Sequence, residues 1–315
     1  MKRAFVTVVI SGALLLRLSP QAQQPRVPPK NTFVQKTYAT AKDAVSALGA
    51  AHARHDGEAI ARILGDKGYR LVYSGDPVID HHEANWFRSL YKEAHQVEPE
   101  SDSRAVLTLG RDEQPYPIPL VKEAGRWRFD PSEGHEDLLS RRISKAELSA
   151  LNAVIAYVAA QREYHSRDWN GDGQREYAER FASQPGKRDG LFWEKAPGQF
   201  EGPLAELAEI AQLEGYHQKK EGELAVYRGY VYKILKSQGT TAPRGSSDYL
   251  VEGRMTKGFA LVAFPARYGV SGVFTFLVNQ EGIVFQKDLG PKTRELGQAM
   301  VQFNPDSSWI RGSGN

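Results

Sequence analysis

The sequence predicts an α+β protein in two parts, an N-terminal one over residues 38–140 and a C-terminal one over 141–315. Three observations lead there. Apolar residues recur at helical spacing from Ser144 onward. Short alternating runs bounded by Gly, Pro, Asn and Asp lie before and after that helix, as antiparallel strands do. Where the helix ends, twelve residues carry oxygen-bearing side chains at the spacing of a cation loop.

The central helix is predicted from its start signal and its stripe. Ser144 and Glu147 fit a capping box, in which hydroxyl and carboxylate reciprocally satisfy two early amides. Leu148, Leu151, Ile155 and Val158 follow at steps of three and four, which puts them on one face, predicted to be the core face. Tyr157 and Tyr164 form a neighbouring stripe.

Residues 168–179 read D-W-N-G-D-G-Q-R-E-Y-A-E and match D-x-[DN]-x-[DN]-G-x5-E at every defined position. A hard cation needs oxygen ligands at alternating positions, a glycine for the sharp turn and a closing carboxylate. Asp168, Asn170 and Asp172 supply side-chain oxygens in this reading. Gln174 supplies its carbonyl, Glu176 binds directly or through water, and Glu179 closes the sphere. Arg175 stands where paired EF-hands usually carry an aliphatic residue, and Pro185 and Gly186 interrupt any second helix. The expectation is a lone structural calcium loop with affinity on the order of 10⁻⁴ to 10⁻³ M. An Asp/Asn/Gly turn without metal is the alternative.

Residues 1–22 read as a secretory signal: Lys2 and Arg3, an apolar run over 4–16, and Ala22 as a cleavage edge. That run is short for a membrane span, an uncleaved anchor being the alternative, and no other segment is expected to cross a bilayer, so no span is expected after signal cleavage. Residues 23–37, with Pro25, Pro28 and Pro29, read as a disordered lead-in. The formal charge of the whole chain is +3. Loss of Lys2, Arg3 and Arg17 with the leader brings it to zero, which removes the electrostatic case for nucleic acid. The chain has no cysteine, so disulfides, thiol catalysis and thiolate metal sites are excluded.

In the N-terminal part, Thr40 and Asp43 start a helix whose apolar face is Ala44, Val45, Leu48 and Ala51. A second short helix is expected over 58–64, a strand over 69–73, and a turn at Asp76-Pro77. A capping box at Asp80 and Glu83 opens a helix lined by Trp86, Phe87, Leu90, Tyr91 and Ala94. Strands follow over 104–110, over the proline-rich edge 115–121, and at 127–130. Helices first and then an antiparallel sheet ending in Gly-x-Trp-x-Phe resemble the cystatin-like or NTF2-like curved sheet around a helix.

That resemblance implies a concave pocket. Asp80, His81 and His82, with His95 nearby in sequence, are its candidate proton-transfer groups. His52 and His55 lack a third ligand and are expected at the surface. In the C-terminal part, Lys187, Arg188 and Asp189 form a charged turn able to meet an anion. A helix runs from Pro203 to a stop at Gly215. Strands are expected over 227–235, 257–264, 272–278 and 283–287, with a hairpin turn at Gln280-Glu281-Gly282 and a short helix near 291–300.

The block over 157–181, Y-x-x-x-Q-R-E-Y-x-x-x-D-x-N-G-D-G-x-x-E-Y-A-x-x-F, resembles one bacterial family. So do P-G-K-R-D-G-L at 185–191, G-F-A-L-V at 258–262, V-N-Q-E-G at 278–282 and Q-K-D-L-G at 286–290. That family is domain of unknown function 2950, predicted exported proteins, and it implies a periplasmic or secreted location. The C-terminal half also resembles the globular head of type IV pilins and pseudopilins, some of which carry calcium. The functional expectation is an exported, non-enzymatic binding or scaffold protein of the cell envelope with a structural calcium loop and an unknown exported or envelope partner. The alternative is an enzyme or small-ligand binder using Asp80, His81 or His82. No nucleophile elbow, zinc-protease motif or phosphate-cradling glycine loop is present.

Overall fold

The computed structural model describes residues 34–312 except Glu133, Asn170 and residues 218–223. The leader, most of the lead-in and the candidate ligand Asn170 lie outside the described residues.

Three helices open the fold. Helix α1 (Ala41–Ala53) starts at the Thr40–Asp43 capping box, with both reciprocal bonds at 3.1 Å. Helix α2 (Gly57–Val72) is capped by Asp56 and kinks at Gly65, whose φ of 72° favours glycine. It runs through residues 69–72, where a strand was expected, because Tyr69 and Leu71 are buried on the helix together with Leu64 and Gly68. Helix α3 (Pro77–Glu93) begins three residues before the Asp80–Glu83 box. Asp76 caps it and Pro77 occupies the first turn, where no amide is missed.

Five strands follow: β1 (His95–Ser101), β2 (Arg104–Leu109), β3 (Gln114–Pro115), β4 (Leu120–Glu123) and β5 (Arg126–Phe129). They pair antiparallel in the order β1-β2-β4-β5, with β3 beside β2. Ala105, Leu107 and Leu109 alternate inward along β2 and meet Val45, Leu48, Leu64 and Phe87 of the helices. The α+β class holds, but the cystatin-like or NTF2-like expectation does not: neither large sheet is closed or curled around a helix. Beyond β1 and β2 the strands of this first sheet run to four residues or fewer. Prolines at 115, 117 and 119 donate nothing to a ladder, so the expected edge strand over 115–121 splits into β3 and β4. The pilin-head likeness likewise reduces to its coarse content, a long helix over an open antiparallel sheet.

Helix α4 (His135–His165) starts nine residues before Ser144. Nothing in residues 135–143 breaks a helix, so the Ser144 box becomes interior. Glu147 instead accepts from the amides of Val273 and Phe274 at 2.8 and 3.2 Å. The predicted core face is half right: Val158 is buried and Leu151 packs on the core, but Leu148 and Ile155 are 61% and 59% exposed. The buried stripe is Ala146, Ala150, Ala153, Tyr157, Ala160 and Tyr164, at steps of four and three. Small side chains let the helix approach the sheet closely, and two tyrosines fill the remaining depth. By length and composition α4 could cross a bilayer, contrary to expectation, yet this stripe is packed on the sheet.

Helix α4 serves both cores. Leu139 lies in the N-terminal one, His135 is bonded to the Lys67 carbonyl at 3.0 Å, and Arg142 donates to the carbonyls of Arg70 and Leu71. From Ala146 onward it belongs to the second core.

The C-terminal half contains the hairpin β6 (Trp193–Ala196) and β7 (Gln199–Glu201), helix α5 (Ala205–Leu213), and strands β8 (Ala225–Tyr227) and β9 (Tyr230–Leu235). Two small ladders follow, β10 (Ser237–Gln238) with β11 (Ser247–Asp248) and β12 (Leu250–Val251) with β13 (Arg254–Met255). Then come β14 (Ala260–Pro265), β15 (Phe274–Asn279), β16 (Phe285–Asp288), helix α6 (Thr293–Ala299) and β17 (Ile310–Arg311). The six-stranded sheet runs β17-β16-β15-β14-β9-β8, and β14 is buried along its whole length. Asp76 ties the halves together. Its carboxylate caps α3 and also accepts from Tyr216 Oη at 2.9 Å and the Gly229 amide at 2.8 Å.

His52, expected at the surface, is 5% exposed and stacks on Phe87 at 4.0 Å, with neither ring nitrogen hydrogen-bonded. Burial, with the charges of Arg88 and His55, lowers its pKa to about 4. A depressed histidine contributes stability that is present above its unfolded value of 6.5 and is lost as pH falls toward 4. Asp80 acts oppositely. Burial raises it to about 6, so its contribution is present below about 4 and is lost as pH rises through 6. We predict that His52→Phe stabilises the protein by about 1 kcal/mol at pH 7, by removing an unsatisfied buried polar group. Its advantage should grow as pH falls from 6.5 to 4 in denaturant titrations. A gain that shrinks with acidification would contradict the buried neutral histidine.

Candidate functional site

The exit of α4 is fixed by a chain of buried hydrogen bonds. Gln161 is fully buried and reads the backbone of Ala178 as a neighbouring strand would. Its Nε2 donates to the Ala178 carbonyl at 2.8 Å, and its Oε1 accepts from the Ala178 amide at 2.9 Å. Nε2 also donates to Tyr157 Oη at 3.0 Å, and Tyr157 Oη donates to the Ala260 carbonyl of β14 at 3.3 Å. The segment after the loop, the helix and the central strand are thereby tied together. Tyr177 extends the tie, its amide donating to the Met255 carbonyl at 2.7 Å.

Between these anchors lies the predicted cation loop. Asp168 Oδ1 accepts from the amides of Gly171 and Asp172 at 2.8 and 3.3 Å, and Oδ2 accepts from Gly173 at 2.7 Å. Gly171 and Gly173 take φ of 76° and 85°, the turn the motif's glycines imply. Asp172 accepts from the Gln174 amide at 2.9 Å and pairs with Arg254. Glu179 pairs with Lys236 at 2.5 Å. Burial raises the pKa of Glu176; Arg254 opposes this, while Asp172, Glu179 and Asp168 add to it. The acids therefore gather at one loop, but their oxygens face amides and two basic side chains. Among the described residues, no three His, Asp or Glu side chains are placed to hold a metal ion.

Beside the loop is a cleft of about 290 Å³ lined by Glu163, Arg167, Trp169, Arg188, Trp193 and Glu201. Three elements supply it. The end of α4 carries Glu163 and Arg167 follows it. Trp169 stands second in the loop, with its Nε1 donating to the Tyr164 carbonyl at 2.9 Å. The β6–β7 hairpin supplies Trp193 and Glu201, which face each other in register. Tyr164 Oη donates to the Arg188 carbonyl at 2.6 Å and holds that turn against the helix. The two indoles meet edge to face at 5.1 Å, and each carries a guanidinium: Arg167 lies 5.1 Å over Trp169 and Arg188 lies 5.4 Å over Trp193. Hydrogen bonds from Lys195 and from Trp193 lower the pKa of Glu201. Gly202 closes the floor at φ 113°, where a Cβ would lie 2.7 Å from the Leu191 carbonyl oxygen and 2.9 Å from the Trp193 ring.

Of the charged turn, only Arg188 enters the cleft. Lys187 donates to Gln184 Oε1 at 2.7 Å, and Asp189 accepts from the Gln184 amide at 2.8 Å. Asp80 turns its carboxylate onto Ser74 and the Gly75 amide, while His81 and His82 are exposed. His95 stands on β1, off the helix that carries the other two. Sequence reasoning missed Trp169, Trp193, Arg167, Glu163 and Glu201. No spacing links positions 163–169 to 188–201; only Trp169, a large aromatic inside a polar loop, was a visible signal.

The family described as "Protein of unknown function (DUF2950)" matches residues 35–311. No curated protein and no solved structure matches the chain. The matched span takes in both cores, the loop and the cleft. The protein is periplasmic or secreted, and the chain belongs to the DUF2950 family.

Proposed function

We propose that the protein is a non-enzymatic binding or scaffold protein of the cell envelope, and that its recognition surface is the cleft at the exit of α4. The observation that carries this reading is the pair of guanidiniums set on two interlocked tryptophans around one open cleft. Aromatic platforms fix the position of charged groups at little cost in side-chain entropy, as recognition sites require. The cleft lies on an anchored part of the fold, since Gln161, Tyr164 and Trp169 are all hydrogen-bonded to backbone.

The test is stabilisation by envelope contents. Fractionated periplasmic extract should raise the melting temperature of the purified mature protein, and the active compound should be recovered unchanged. Arg167→Gln/Arg188→Gln should abolish the shift while retaining the wild-type melting temperature without extract. Conversion of the compound to a product, or a shift that survives the double variant, would count against the reading.

A structural calcium ion in residues 168–179 is the second part of the proposal, supported by the spacing of Asp168, Asn170, Asp172, Gln174, Glu176 and Glu179. It requires displacement of Arg254 from Asp172 and of Lys236 from Glu179. On that competition, Arg254→Gln/Lys236→Gln should bind calcium at least about tenfold more tightly than wild type, measured by calorimetry on chelator-stripped protein. Absence of heat at millimolar calcium in both proteins would remove the metal from the account.

A further inference from the structure

We propose that the cleft takes a monosaccharide-sized sugar acid, with its carboxylate held between Arg167 and Arg188. This rests on the reading of the cleft as the recognition surface and names its ligand class.

The choice of an anion follows from how the two arginines are held. Contact with an indole satisfies none of a guanidinium's N–H donors, which stay able to meet a carboxylate as a fork. Other arginines of this chain are already bonded to carboxylates or carbonyls: Arg128 to Glu123, Arg228 to Glu214, Arg142 to two carbonyls. Arg167 has only a distant pairing with Glu163, at 3.9 Å. Among the described residues Arg188 makes no ion pair and no side-chain hydrogen bond; its side chain rests on Trp193.

The choice of a hydroxylated monoanion follows from the remaining lining. Glu163 and Glu201 bring two negative charges against the two positive ones. A phosphate dianion would be repelled by them, whereas hydroxyl groups would donate to them. Glu201 already accepts from Lys195 at 2.7 Å and from Trp193 Nε1 at 3.4 Å, which holds an acceptor at the cleft wall. A volume of about 290 Å³ exceeds what a bare carboxylate or a two-carbon acid fills and suits one pyranose ring. Trp169 and Trp193 supply the apolar surface that the ring's C–H groups require.

The tryptophans supply the readout. Titration of the mature protein with glucuronate, followed by intrinsic fluorescence, should give a saturable change that is absent with glucose, its uncharged counterpart. Arg188→Gln should weaken binding by at least about tenfold at an unchanged melting temperature, and Arg188→Lys should not restore it, because a lysine offers no fork. Inorganic phosphate or glutamate binding as tightly as glucuronate, or glucose matching it, would overturn the sugar-acid assignment. So would a wild-type protein that responds to none of these probes. If periplasmic extract still stabilises the protein through Arg167 and Arg188 in that case, the ligand class fails while the recognition surface stands. If neither extract nor glucuronate acts through these arginines, both fall.

Discussion

The paired hydrogen bonds between the Gln161 side chain and the Ala178 backbone are the constraint on which the C-terminal half depends. A backbone unit leaving a loop and entering a core must satisfy both its amide and its carbonyl, or forfeit about 1–3 kcal/mol for each. Gln161 does both with one side chain, and its second Nε2 hydrogen continues through Tyr157 to the central strand. Loop, helix and sheet therefore share one polar network within the buried core. Such networks specify one arrangement because every member has a partner only there. These bonds join the exit of the helix to the sheet through side chains outside the candidate cation loop's own carboxylates.

The cleft is a consequence of that anchoring. Once Ala178 is fixed, the chain after it returns along the end of α4. There the amides of Leu191 and Phe192 bond to the carbonyls of Arg180 and Phe181. Gly190 permits this approach, since a Cβ there would lie 2.6 Å from the backbone of residues 182 and 183. The return brings Trp193 under Trp169 and sets Arg188 beside the helix end. Residues far apart in sequence converge because three local requirements agree: the turn at Asp168, the close pass at Gly190 and the floor at Gly202. Among the described residues the cleft lining comes from the C-terminal half, while the N-terminal half meets the other end of α4 at Leu139, His135 and Arg142.

Much of this was legible in the sequence and part was not, for identifiable reasons. The Thr40–Asp43 cap, helix α5 and the hairpin at Gln280–Gly282 follow from local chemistry that tertiary contacts do not override. The start of α4 and half of its face were misread. Reading the face by side-chain size favours Leu148 and Ile155, whereas the sheet selects the alanine and tyrosine stripe that permits close approach. Likewise Ser144–Glu147 is a sound cap in isolation, but a competent helix precedes it and Glu147 finds amides on β15's approach. The curved sheet was an inference from element order, and order does not encode curvature when prolines shorten the strands. In the candidate site, the loop was visible because its chemistry is contiguous. The cleft was invisible because its two tryptophans are joined only by the return of the chain.

The most direct test of the central claim is amide hydrogen exchange at Ala178 in Gln161→Met, a change that keeps the volume and removes both hydrogen-bonding ends. In calcium-free buffer the account predicts a loss of about 3 kcal/mol of protection at Ala178. Amides at the middle of β14 should retain wild-type protection relative to the variant's global stability. An Ala178 amide as protected in the variant as in wild type would contradict the account.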